Sequence, residues 1–78
     1  MKHTTTLNEL KLGEKAIIRS FKNELLSSKL IDMGCLPGEL ITISRMAPLG
    51  CPYVINVSGY ELSLRKAEAM TVMVETLS

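Results

Sequence analysis

Apolar and polar residues alternate along the second half of the chain, and this pattern predicts a β-hairpin. The alternating apolar residues are Tyr53, Ile55 and Val57 and then Tyr60, Leu62 and Leu64. Ser58-Gly59 between them is a typical turn pair, and a two-residue turn places Val57 opposite Tyr60. This register puts both apolar sets on one face, whereas a slip of one residue would turn one set toward solvent. We therefore expect strands over 53–57 and 60–64.

Three more strands and two short helical turns follow from the same reading. The segments Lys15–Phe21 and Leu40–Met46 are rich in β-branched residues, and Met70, Val72 and Val74 alternate near the end of the chain. Thr6 and Glu9 have the spacing of a capping box, which predicts one helical turn before the first strand. Arg65 to Ala69 consists of good helix formers and predicts another turn.

The segment from Asn23 to Gly38 predicts a short helix that ends in a hinge. Asn23 is a good N-cap, and an apolar face is formed at helical spacing by Leu26, Leu30 and Met33. Gly34 follows the last apolar position, where a left-handed residue commonly ends a helix. Pro37-Gly38 then fits the centre of a tight turn. We expect the hinge to be structurally essential, with the residues Leu30, Met33, Gly34, Pro37 and Gly38.

These elements predict a mainly β domain, a small five-stranded SH3-like barrel with one short helix between its first two strands. A barrel leaves fewer exposed strand edges, which a short chain has little material to cover. The alternative is an open five-stranded sheet covered by the helix. The 78 residues fit one domain, 1–78, in which 1–5 are expected to be a flexible tail.

Composition narrows the possible partners. Apolar residues make up 46% of the chain and its net charge is +1, which favours a globular fold. Because the basic residues are scattered among acids, nucleic acid binding is not expected. The sequence lacks a secretory signal and a run of apolar residues long enough to span a bilayer. We therefore expect a cytosolic protein that does not insert into membranes.

Candidate catalytic chemistry is sparse, so we do not expect an enzyme. Asp32 and Glu39 flank the hinge, but nothing in the sequence gives them a shared pocket, and solvated charges are the simpler interpretation. Cys35, Cys51 and His3 are candidate ligands for a transition metal such as iron or zinc. The alternative is that the two cysteines are small, partly buried thiols without a ligand.

The loops are unusually apolar. The residues concerned are Leu36 in the hinge and Met46, Ala47, Pro48, Leu49 and Gly50 in the loop that follows the second strand. Loops usually run over the surface and carry polar residues. These side chains either close the ends of the barrel or form an exposed patch that binds a partner. Proline and glycine turns would hold such a patch rigid and lower the entropy cost of binding.

Three motifs in register resemble the ferrous iron transport protein A (FeoA) family. They are LIDMGCLPG from Leu30 to Gly38, APLGCP from Ala47 to Pro52, and LSLR from Leu62 to Arg65. The similarity extends from Leu7 to Val74. One departure is Cys51, which stands where similar sequences often have an acidic residue. The resemblance therefore implies no carboxylate function at this position.

The resemblance implies an SH3-like fold and a small cytosolic accessory of the membrane ferrous iron transporter FeoB, whose cytosolic part is a GTPase. It also implies an association with transition metals, so a small metal-binding or metal-sensing protein is the alternative function. The domain type further resembles the C-terminal module of iron-dependent repressors, but no DNA-binding helices precede it in this chain. Weak self-association is left open.

Overall fold

A computed structural model describes residues 3–47 and 52–77 of the chain, and the fold in these ranges is dominated by one antiparallel sheet. Its strands, in chain order, are β1 (Thr4–Thr6), β2 (Lys15–Phe21), β3 (Leu40–Met46), β4 (Tyr53–Val57), β5 (Tyr60–Leu64) and β6 (Val72–Thr76). Their order across the sheet is β1-β6-β2-β3-β4-β5. Helices α1 (Glu24–Asp32) and α2 (Lys66–Ala69) and a 3₁₀ turn (Leu7–Glu9) complete the described structure.

The predicted hairpin has the expected register. Val57 pairs with Tyr60 and Tyr53 pairs with Leu64, so β4 and β5 have the predicted bounds. Ser58 and Gly59 both have positive φ, at 51° and 89°. Two positive φ values are typical of the type I′ turn, whose twist matches that of the flanking strands. The bounds predicted for β2 and β3 are also confirmed.

Inward-facing side chains from five strands share one core. The fully buried strand residues are Ala16, Ile18, Ile41, Ile43, Ile55, Val57, Leu64, Val72 and Val74. The turn and the helices contribute Leu7, Leu30 and Ala69 to the same cluster. Since strands from both halves of the sheet meet in this cluster, the sheet curls around it. The predicted mainly β class is therefore confirmed, with six strands among residues 3–47 and 52–77 in place of the five expected.

The start of the chain differs from the prediction. Instead of belonging to a flexible tail, Thr4–Thr6 form β1 and pair with Met73, Val74 and Glu75 of β6. A threonine-rich strand pairs readily with an existing edge, because its branched side chains fit a pleated, half-buried surface. Residues 1 and 2 lie outside the described ranges.

Two local predictions are corrected. The turn predicted near Thr6 is a 3₁₀ helix without the capping box, since the Thr6 hydroxyl donates to Asn8 Oδ1 instead of accepting a backbone N–H. Met70 lies at the end of α2 and not in the last strand, and half of its surface is exposed. The first correction concerns the cap of the turn, and the second removes Met70 from the inward-facing set, in which Val72 and Val74 remain.

Candidate functional site

Helix α1 begins and ends at the residues that the sequence predicts. The Asn23 side chain accepts hydrogen bonds from the backbone N–H groups of Leu25 and Leu26, at 2.9 and 3.1 Å. At the other end, Cys35 N–H donates to Leu30 O at 2.9 Å and Gly34 N–H donates to Ile31 O at 3.0 Å. This pair of bonds is a Schellman motif, which requires a left-handed residue after the helix.

Gly34 supplies that left-handed residue and contacts the hairpin. Its φ is +102°, and a Cβ added there would lie 2.7 Å from the hydroxyl oxygen of Tyr60. Two separate constraints therefore favour glycine at this position, the backbone conformation and the close approach of Tyr60. The sequence pattern had placed Tyr60 inside the barrel, but the side chain is 51% exposed and covers the end of α1.

The turn at Pro37-Gly38 fixes the hinge to the sheet. Glu39 N–H donates to Leu36 O at 3.1 Å, which closes the turn, and Gly38 has a φ of +91°. Gly38 N–H also donates to Ile18 O in β2 at 2.7 Å. The Glu39 carboxylate accepts from the hydroxyl of Ser58 at 2.7 Å, so the hinge is bonded to the hairpin as well. Leu36 is therefore presented on a rigid support.

Three partly exposed apolar residues contact Gly34, two through backbone hydrogen bonds and one through its ring, and we call them the hinge surface: Ile31, Leu36 and Tyr60. Between 40% and 51% of each residue is exposed. Ile31 and Leu36 lie on either side of Gly34 and bond to its backbone, and Tyr60 packs over it. Sequence reasoning selected Leu36 and missed Ile31 and Tyr60. Only the contact between the hairpin and the helix end shows that they are neighbours.

The proposed partner-binding residues do not form one continuous patch among the described positions. Leu36 precedes the start of β3, whereas Met46 ends it, and a seven-residue strand extends over roughly 20 Å. Met46 is 40% exposed, and the adjoining Ala47 N–H donates to Pro52 O at 3.2 Å. Pro48, Leu49 and Gly50 lie outside the described residues. The hinge surface and the Met46 end are thus two separate regions.

The candidate metal ligands are not brought together in the described structure. Cys35 is buried, and burial together with the nearby Glu68 carboxylate raises the pKa of its thiol to about 11. Metals bind the thiolate, so coordination at Cys35 would have to release the thiol proton. His3 lies at the far end of β6 from α2, where its carbonyl accepts from Thr76 N–H. Cys51 lies outside the described residues.

Across residues 3–47 and 52–77, no group of three histidine, cysteine or acidic side chains has the geometry to hold a metal ion. The donors present there therefore do not fit a transition-metal site. No pocket is found in the same ranges. The described part of the chain also contains no helix that is both long and apolar enough to cross a membrane.

An ion pair between a buried carboxylate and an exposed lysine joins the two helices and was missed by sequence reasoning. Glu68 is 6% exposed, and its Oε2 lies 2.7 Å from Lys29 Nζ on α1. Its Oε1 accepts from the backbone N–H of Arg65 at 2.8 Å, which caps α2. Glu68 stands three residues after the N-cap, where a glutamate can reach back to the N-cap N–H, but Arg65 is not the serine or threonine of the usual capping signature. The pairing with Lys29 depends on the tertiary fold.

This ion pair predicts a loss of stability in acid. The hydrogen bonds from Lys29 and Arg65 hold the pKa of Glu68 below its ordinary value of 4.5. The unfolded chain therefore takes up a proton at higher pH than the folded chain does. The stabilisation is complete above the ordinary pKa and is lost as the pH falls through the lowered folded-state pKa.

Urea unfolding measured between pH 6 and pH 3 should show this decline, which Glu68→Gln should flatten. An equally steep decline in Glu68→Gln would assign the acid sensitivity to other groups.

Comparisons with known sequences agree on one family. A family model described as the FeoA domain matches residues 5–76. A Fe(2+) transport protein A/Fe(2+) transporter FeoB fusion protein of Porphyromonas gingivalis is 32% identical over 73 residues. The match covers 92% of this chain but only 9% of the fusion protein, so the chain spans about a tenth of that relative's length.

Solved structures show the same fold. The FeoA-like protein of Clostridium acetobutylicum superposes with a TM-score of 0.91 at 37% identity, over 100% of this chain and 92% of that one. The FeoA of Stenotrophomonas maltophilia complexed with zinc superposes with a TM-score of 0.77 at 29% identity, over 90% and 88% of the two chains. That protein is described as a prokaryotic SH3 domain protein, and the likeness confirms the predicted SH3-like fold.

Proposed function

Because this chain belongs to the FeoA domain family, we propose that it is a cytosolic accessory protein of ferrous iron uptake. In this proposal it binds the cytosolic GTPase region of a FeoB-like membrane transporter and modulates the transport of Fe²⁺, which is the transporter's cargo. The observation that carries the proposal is the relative from Porphyromonas gingivalis, in which FeoA and FeoB are parts of one polypeptide. Two proteins that are fused in one organism commonly act together when they are separate.

The hinge surface is the part of the described structure best suited to such docking. Its three apolar residues are partly exposed; the Schellman motif and the Pro37-Gly38 turn hold Ile31 and Leu36 in place, and the pairing of β5 with β4 holds Tyr60. A surface that is already ordered loses little conformational entropy on binding. The loop containing Met46, Ala47, Pro48, Leu49 and Gly50 is proposed as a second, separate contact, since its described members lie at the other end of β3.

The alternative, a small transition-metal-binding or metal-sensing protein, has weaker support. Cys35 lies near Glu68 of α2, before the start of β6, whereas His3 bonds to Thr76 at the end of this five-residue strand, which spans roughly 13 Å. The zinc complex of the FeoA from Stenotrophomonas maltophilia concerns that protein's own residues. We therefore propose a binding module that assembles with a transporter, with no catalytic role of its own.

Leu36→Asp is expected to weaken binding to the cytosolic region of a FeoB-like transporter by at least tenfold, because it places a charge in an apolar contact. Leu12→Asp is the matched control, since Leu12 is 64% exposed and lies in the loop before β2. Calorimetric titration of both variants and the parent into the transporter domain measures the difference. Binding by Leu36→Asp as tight as by Leu12→Asp would exclude the hinge surface as the site.

Two further measurements complete this test. Met46→Asp and Leu49→Asp probe the second contact in the same titration, and thermal unfolding monitored by circular dichroism identifies any variant that has lost its fold. Raising the salt concentration should change the affinity little, because the charges of this chain are balanced and dispersed. A steep loss of affinity with salt would indicate electrostatic docking instead.

A further inference from the structure

Strand β5 lies at one edge of the sheet and pairs only with β4 among the strands of the described structure. In a hairpin closed by a two-residue turn, the residues next to the turn exchange backbone hydrogen bonds, and bonded positions then alternate. Tyr60, Leu62 and Leu64 therefore bond to β4. The N–H and C=O groups of Glu61 and Ser63 point away from it.

These outward groups are available for pairing. Glu61 and Ser63 are both exposed, and within residues 3–47 and 52–77 their backbone groups make no hydrogen bond outside the strand ladder. Edge strands usually carry devices that prevent pairing, such as lysine, proline or a very short length. The opposite edge, β1, has only three residues, whereas β5 has five and contains neither lysine nor proline.

The charge on this edge is also compensated. Glu61 is the only charged residue of β5, and its Oε1 lies 2.9 Å from Arg45 Nη2 on the same sheet. With a net charge of +1, the chain as a whole adds little repulsion between two copies. A second copy of the same strand can therefore approach without a large electrostatic cost.

We infer that two copies of this chain pair through β5, antiparallel and about a two-fold axis at Leu62. Glu61 of each copy then faces Ser63 of the other, and each such pair exchanges two N–H to O=C bonds, which gives four bonds in total. Leu62 meets its counterpart on the core-facing side, where it is only partly buried in one copy. The two sheets become one continuous sheet.

The alternative registers are less favourable. A shift that pairs Glu61 with its own counterpart places two carboxylates opposite each other. A shift that pairs Ser63 with its counterpart brings Arg65 opposite Glu61, but the Arg65 N–H already donates to Glu68 Oε1 and cannot join the ladder. The register centred on Leu62 thus gives the most hydrogen bonds without opposed like charges.

The full chain should form a weak dimer, because strand-edge pairing buries far less area than a standard protein interface. Sedimentation velocity at rising protein concentration should show the average sedimentation coefficient increasing from that of a monomer toward that of a dimer. Amide hydrogen exchange should slow at Glu61 and Ser63 over the same range, with no change at the β1 edge.

Two substitutions that introduce opposite charges at Ser63 test the register. Ser63→Glu places a carboxylate opposite Glu61 of the second copy, twice by symmetry, and should weaken the dimer roughly tenfold. Ser63→Lys is the matched control, since it places an opposite charge there and should preserve or tighten the dimer. Both substitutions are at an exposed position.

A parent that remains monomeric at the highest concentration overturns the inference, and so does an equal response of the two Ser63 variants. Slowed exchange at Glu61 and Ser63 only after addition of the transporter domain would also overturn it, because the edge would then accept a strand of that partner. Since the hinge-surface variants test docking separately, this result is distinguishable from a failure of the proposed function.

Discussion

Leu30→Ala is expected to lower the free energy of unfolding by about 2–5 kcal/mol. Leu30 is fully buried and is the one residue of α1 that belongs to the described core. Removing its side chain leaves a cavity and also weakens the attachment of the helix to the sheet. For a domain whose total stability is roughly 4–12 kcal/mol, such a loss is large. Urea unfolding monitored by circular dichroism gives the difference directly.

The control for this substitution lies on the same helix. Leu25 is 86% exposed, so Leu25→Ala should stay within about 0.5 kcal/mol of the parent. Both substitutions replace leucine by alanine in the same helix. The difference between their effects on the free energy of unfolding therefore measures the contribution of burial. Equal unfolding midpoints for the two variants would place Leu30 outside the core.

Gly34→Ala is expected to destabilise the protein by roughly 2–5 kcal/mol through two separate effects. Alanine strains a backbone with φ of +102°, and its Cβ would lie 2.7 Å from the Tyr60 hydroxyl oxygen. Either α1 or Tyr60 must then move. The same unfolding measurement gives the size of the effect, and a change in tyrosine fluorescence that is absent in a Tyr60→Phe background would report the displacement of Tyr60.

Two comparisons separate the cost of backbone strain at Gly34 from the cost of the close contact with Tyr60. Gly38→Ala introduces a similar strain, at φ of +91°, but its Cβ meets no atom within 4 Å. In a Tyr60→Phe background the nearest ring atoms are 3.6 Å from the added Cβ, so Gly34→Ala should cost about as much as Gly38→Ala there. If Gly34→Ala costs no more than Gly38→Ala in the parent, Tyr60 does not pack against the helix end as described.

Much of the hinge follows from local sequence chemistry. Asn23 caps α1, Gly34 ends it in a left-handed conformation, and Pro37-Gly38 forms a tight turn, as the residue types predict. Each of these features depends on backbone groups within a few residues, so the sequence alone contains the required information. The hairpin register follows in the same way from alternation and a two-residue turn.

The candidate site could be predicted only in part. Leu36 was selected because an apolar residue between turns is unusual, and the structure places it at the surface. Its expected neighbour Met46 lies at the other end of β3, while Tyr60 lies close by through its contact with Gly34. Whether two loops meet depends on how the sheet curls, and an alternating pattern defines a face but not the curvature of that face.

The sequence by itself determined the bounds of the central strands, the helix with its caps, and the register of the β4–β5 hairpin. The tertiary structure alone decided that Thr4–Thr6 add a sixth strand, that Glu68 pairs with Lys29, and that Tyr60 covers Gly34. The physical reason is the range of the interactions. Caps, turns and alternation act between near neighbours in the chain, whereas these three contacts join segments whose approach is fixed only once the whole core has packed.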